Sequence, residues 1–96
     1  MPAPNQSGRN KFPLGRTVVT RGALSALSQD DILLSFLRHS VGDWGDLEAE
    51  DEAQNEKALA TEGRLFSTYL SAMGIRFYVI TECDRSVTTV LLPHEY

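Results

Sequence analysis

The chain has 96 residues, 42% hydrophobic and 23% charged, which suits one small globular domain and excludes wholesale disorder or a fibrous class. One cysteine, Cys83, rules out an internal disulfide framework and a cysteine metal cluster, so no metal or cofactor is expected. The net charge of −4 conceals a contrast: residues 1–40 carry +3, residues 41–62 carry −7, and residues 63–96 balance. No basic stripe of the kind that neutralises phosphates is visible, and general binding of duplex DNA is not expected. No apolar run approaches a membrane span and Met1–Gly15 lacks a signal peptide's apolar stretch, which points to a cytoplasmic protein with no membrane partner.

Residues 1–15 read as a disordered arm, rich in Pro, Asn, Gln, Ser and Gly, with residues 16–96 forming a single domain. Arg16-Thr17-Val18-Val19 is short and β-branched, either an edge strand or an extended lead-in. Thr20 is placed to cap a short helix through Ala23, Leu24 and Leu27, and Ser28 to cap a second, with Asp30 and Asp31 in its dipole-favoured first turn. Ile32, Leu33, Phe36 and Leu37 recur at the spacing of one buried face of that second helix, which Gly42 stops. A third helix, capped by Asp46, is expected to run to about Ala60 and to pack lightly, ending at Glu62-Gly63. From Arg64 the hydrophobic period changes to two, giving strands over Arg64–Ser71, Ile75–Cys83 and Val87–Leu92. Their short links force antiparallel neighbours. The expected fold is α+β, N-terminal helices packed on a small three- or four-stranded antiparallel meander.

Two stretches carry candidate chemistry. In His39–Asp46, two glycines bracket Trp44, the only tryptophan, and Asp43 and Asp46 flank it. His39, with an ordinary pKa near neutrality, suits a general acid or base oriented by an aspartate; equally, a histidine ends helices well, aspartates cap them, and a tryptophan plugs a core. In Thr81–Thr89, Arg85 with Ser86 and Thr88 nearby is suited to hold a phosphate or carboxylate, with Arg64 and Arg76 as possible neighbours. The alternative is a hairpin turn in which Asp84 and Ser86 bond the local backbone. Cys83 lies between acidic Glu82 and Asp84, which argues against a nucleophile. The acidic run Glu48–Glu52 is either a docking face for a basic partner or a solvated helix face.

Gly42-Asp43-Trp44-Gly45-Asp46, then Arg64-Leu65-Phe66-Ser67-Thr68-Tyr69, then the string Ile80–Tyr96 resemble a family of small uncharacterised bacterial proteins carried on plasmids, integrative conjugative elements and prophages, the "plasmid-related" proteins. The resemblance spans roughly Thr17–Tyr96 and implies a mobile-element setting, while Cys83 stands where a small residue such as alanine is expected. By analogy of fold, helices followed by a meander are also similar to the barnase/colicin/RelE-like ribonucleases and toxins. That analogy would make His39 the general acid/base, Arg64 or Arg85 the stabiliser of a phosphorane, and Thr88 or Thr89 the holder of a phosphate oxygen.

The leading expectation is a non-enzymatic accessory protein of a mobile element that binds a host or element protein through Asp43, Trp44, Asp46, Arg64 and Tyr69, with Arg85 nearby and the acidic helix as docking face. The alternative is a small nuclease acting on RNA through His39, Arg85 and Thr88. A third expectation is small-molecule sensing in a pocket lined by Trp44, Tyr69 and Tyr78. A monomer, or a homodimer paired through edge strand Thr17–Val19 or Val87–Leu92, completes the set.

Overall fold

The computed structural model of the protein describes residues 10–96. In chain order it has β1 (Arg16–Val19), α1 (Arg21–Ala26), α2 (Gln29–Ser40), α3 (Ala49–Thr61), β2 (Leu65–Leu70), β3 (Arg76–Thr81) and β4 (Val87–Leu91), then a single 3-10 turn (Pro93–Glu95). The Thr20 and Ser28 side chains cap α1 and α2 by accepting from the amides of Ala23 and Asp31, satisfying donors that a helix start leaves unpaired. Asp46 does not cap α3. Its amide bonds the Thr68 carbonyl and its carboxylate pairs with Arg76, so the helix starts three residues later behind Glu48. At the other end Glu62 turns the chain in the left-handed region (φ 59°).

The strands form one sheet in the order β1-β4-β3-β2. β2, β3 and β4 are the expected antiparallel meander, but β1 lies parallel to β4, pairing Arg16 with Val87 through Val19 with Val90. The sheet is therefore mixed. Turn-length links dictate antiparallel neighbours, whereas the long connection from β1 through three helices and a hairpin leaves direction free. β4 is consequently an interior strand, which removes Val87–Leu92 as a dimerising edge and leaves β1 at the margin.

α1 and α2 cover one face of the sheet. Ala23, Leu27 and Ile32 meet Tyr69, Phe77, Val79 and Val90 there, while Phe12, Trp44, Ala58 and Leu65 form a second buried cluster beside them. The buried face of α2 differs from expectation: Ile32, Ser35, His39 and Ser40 are buried and Phe36 is half-buried, whereas Leu33 and Leu37 are 57% and 66% exposed. Both sets obey helical spacing, and hydrogen bonds decide between them. With Ile32 and Ser35 facing inward, His39 meets hydroxyl partners on the strands and the small Ser35 folds its hydroxyl onto the Ile32 carbonyl.

Of the expected arm, residues 1–9 lie outside the described residues, and residues 10–15 are packed against the domain. The Lys11 amide bonds the Ser40 carbonyl at 2.8 Å and Phe12 is buried. Phe12 and Leu14 are apolar exceptions in a polar stretch, and they suffice to hold it. Among the described residues no helix is long and apolar enough to cross a membrane.

Candidate functional site

His39 comes from the last turn of α2, and both of its ring nitrogens are taken. Nδ1 lies 2.6 Å from the Ser67 hydroxyl on β2 and Nε2 lies 2.9 Å from the Thr81 hydroxyl on β3. Thr81 in turn contacts Thr88 on β4 at 2.7 Å, and Thr88 donates to the Leu14 carbonyl at 2.7 Å. Each hydroxyl has one proton, so this chain has one consistent direction. Thr88 gives its proton to Leu14, Thr81 gives its proton to Thr88, His39 must donate from Nε2, and Ser67 must donate to Nδ1. The imidazole is neutral and carries its proton on Nε2.

The surroundings enforce that state. The ring is 0% exposed, with Phe12 edge-on at 5.2 Å and Trp44 edge-on at 5.6 Å. Burial, helped by the nearby Arg85 charge, pushes the His39 pKa down from 6.5 to about 3. A general acid or base must reach a substrate proton. His39 is walled off from solvent by the segment containing Phe12 and Leu14, so the acid–base role expected for it has no access route in this structure.

The other nuclease candidates share this neighbourhood without forming a site. Thr88 is buried in the hydroxyl chain, whereas Thr89 points to the opposite face of the sheet. Arg85, itself in the left-handed region (φ 61°), donates to the carbonyls of Ala58, Gly63 and Glu82 and lies 5.8 Å from the Phe12 ring centre. It closes the end of α3, where unpaired carbonyls and the helix dipole favour a cation. Arg64 and Arg76 sit at opposite ends of the β2–β3 ladder, pairing with Glu82 and Asp46 respectively. The three arginines therefore make no shared anion cradle.

The polar groups of the Asp43–Asp46 loop are engaged within the chain. Arg38 grips the Asp43 carboxylate through two bonds of 2.7 and 3.1 Å and holds its pKa below the usual carboxylate range. The Tyr69 hydroxyl donates to the Asp43 carbonyl at 2.6 Å, and burial pushes the phenol pKa up. Trp44 is buried with its indole N–H on Glu56 at 2.9 Å, and its carbonyl accepts the Thr68 amide. Gly45 runs against β2 as an isolated parallel bridge with φ +78°, so close that a Cβ would overlap the Thr68 carbonyl oxygen. With Asn55 bonding both backbone groups of Phe66, the loop and α3 cover most of the β2 edge. An exposed row of backbone donors would otherwise invite pairing with another chain.

Trp44 and Tyr69 lie under the helices, whereas Tyr78 is on the other sheet face, so the three do not line one pocket. That other face carries a site the sequence reasoning missed. Phe66, Tyr78 and Tyr96 cluster with ring centres 4.8–6.2 Å apart, and the Arg64 guanidinium lies 5.6 Å over Tyr96. Between this cluster and α3 opens a cleft of about 350 Å³ lined also by Leu47, Asp51, Gln54 and Asn55. The signal was present: Phe66 and Tyr78 are the aromatic members of the outward sets in two alternating strands, which become neighbours once the strands pair in register. Among the described residues no group of His, Cys, Asp or Glu is arranged to hold a metal ion.

No protein-family model matches this sequence, and neither a curated protein nor a solved structure matches it.

Proposed function

We propose that the chain is a non-enzymatic protein-binding module, an accessory of a mobile genetic element, that docks a basic partner protein on the acidic face of α3 and the adjoining aromatic cleft. The observation that carries this reading is the cleft itself. It is of ligand-pocket size, walled by Phe66, Tyr78 and Tyr96 and faced by Asp51. Glu50 and Glu52 extend the negative charge along the first turns of the helix. Aromatic faces and carboxylates together favour a Lys or Arg side chain, and the existing stack of Arg64 on Tyr96 illustrates that chemistry within the chain. A sealed His39 supports binding over catalysis, since His39 and Thr88 of the opposing candidate machinery are fully buried.

The test is an affinity pull-down of the tagged protein from nuclease-treated bacterial lysate, read by mass spectrometry. A stoichiometric basic protein is expected with the unaltered chain. It should be lost when Glu48, Glu50 and Glu52 are reversed to Lys, and weakened about tenfold or more by Tyr78→Ala, the size of a buried aromatic anchor. Retention of every partner by the charge-reversed protein refutes the reading. Incubation with total RNA should produce no cleavage; cleavage that disappears in His39→Ala would return the nuclease alternative.

A further inference from the structure

The outer flank of α2 is apolar and uncovered. Leu33, Leu34 and Leu37 are 57%, 54% and 66% exposed, and Val41 continues the stripe one turn on. These positions are three and four apart and so adjoin along one helix flank. Leu34 also lines, with Leu70 at the end of β2, a shallow depression whose other walls include Asp31 and Arg38. The four residues Leu33, Leu34, Leu37 and Val41 leave roughly 370 Å² uncovered, inside the ~300–600 Å² of the largest patches on monomers, which are often functional. This surface is on the opposite side of the sheet from the aromatic cleft and owes nothing to it.

We propose that this flank is a homodimer interface in which α2 packs antiparallel on α2 of a second copy. The charges favour that direction. Asp30 and Asp31 stand in the first turn and Arg38, which also holds Asp43, in the last, so carboxylates crowd one end of the apolar stripe and an ion pair stands at the other. A two-fold axis between Leu34 and Leu37 stacks Leu34 of one copy on Leu37 of the other. The same axis sets Asp30 and Asp31 beside Arg38 of the second copy at both ends, and opposes the two helix dipoles. A parallel pair would place like charge on like charge. The uncovered apolar area is below the ~800 Å² per partner of a standard interface, so the expected dimer is weak and reversible.

Sedimentation velocity over a concentration series of the full chain tests this. The unaltered protein should show a reversible monomer–dimer equilibrium, and Leu37→Glu should raise its dissociation constant about a hundredfold, because the interface would enclose an unpaired carboxylate. Circular dichroism should stay unchanged, since Leu37 is mostly exposed; should it change, Leu37→Gln gives the same readout. Asp30→Arg sets a cation against Arg38 and should weaken the dimer severalfold. A monomer at every concentration overturns the proposal, as does a dimer indifferent to Leu37→Glu. Dimers abolished by Thr17→Pro and retained in Leu37→Glu would be pairs formed through β1 and would also overturn it. An Asp30→Arg dimer as tight as the unaltered one overturns the antiparallel arrangement.

Discussion

Stability of the protein should fall on mild acidification, and His39 should be the cause. In the folded state the ring is neutral down to about pH 3, whereas in the unfolded chain it takes up a proton near its ordinary 6.5. Between those values the unfolded state binds more protons, so unfolding becomes easier as pH drops. The contribution is complete above pH 6.5 and is lost progressively toward pH 3. Each pH unit in that window is worth about 1.4 kcal/mol, so roughly 2 kcal/mol disappears by about pH 5, and the full interval amounts to about 5 kcal/mol as a ceiling. Urea unfolding at about pH 7 and pH 5 measures the first figure. The range isolates His39 from Asp43 and Asp84, whose carboxyl groups titrate below it because hydrogen bonds lower their pKa values. A His94→Asn background leaves His39 as the single histidine. His39→Gln in that background should be less stable at neutral pH, because one of two buried hydrogen bonds is lost, but its stability should be nearly flat between the two pH values. Equal slopes for the two proteins would refute the buried, neutral imidazole.

Three further substitutions probe the packing around that ring. Phe12→Ala should cost about 3 kcal/mol in urea unfolding, the price of an emptied aromatic site in a core, and should raise the His39 pKa followed by NMR as water reaches the ring. Arg85→Ala removes donors from the carbonyls of Ala58 and Gly63 and should cost about 2 kcal/mol. It should also raise the His39 pKa, since the Arg85 charge helps to lower it. Gly45→Ala and Gly74→Ala share a positive φ, but only Gly45 abuts the Thr68 carbonyl. Gly74→Ala should therefore lose about 1 kcal/mol and Gly45→Ala at least ~2 kcal/mol more, read as thermal midpoints.

The local chemistry of this chain was largely legible in its sequence. Thr20 and Ser28 cap helices because hydroxyls beside a helix start accept the first free amides, and the three strands after Arg64 announce themselves by alternation and by turns too short for any other pairing. Non-local choices were not legible. The four residues of β1 carry no mark of their partner, so neither their parallel direction nor their place beside β4 could be read. The orientation of α2 was decided by hydroxyls on β2 and β3 more than 25 residues away, which a hydrophobic period does not register. The same bonds turn His39 from a candidate catalyst into a core residue. Phe12 escaped because one aromatic residue in a polar stretch barely changes its average composition. The Phe66–Tyr78–Tyr96 cleft escaped for a related reason, since its walls join only after strands distant in sequence come together.

The parallel seating of β1 on β4 sets an order of events during synthesis. Val18 and Val19 are made early, but their partners Thr89 and Val90 follow 71 residues later. At about 5–20 residues per second, that is a wait of several seconds on the ribosome. During it the β2–β3 hairpin can close locally, while β1 has no strand to join. The sheet is therefore completed outward from the β2–β3 hairpin, and β1 is the strand that waits longest for its partner.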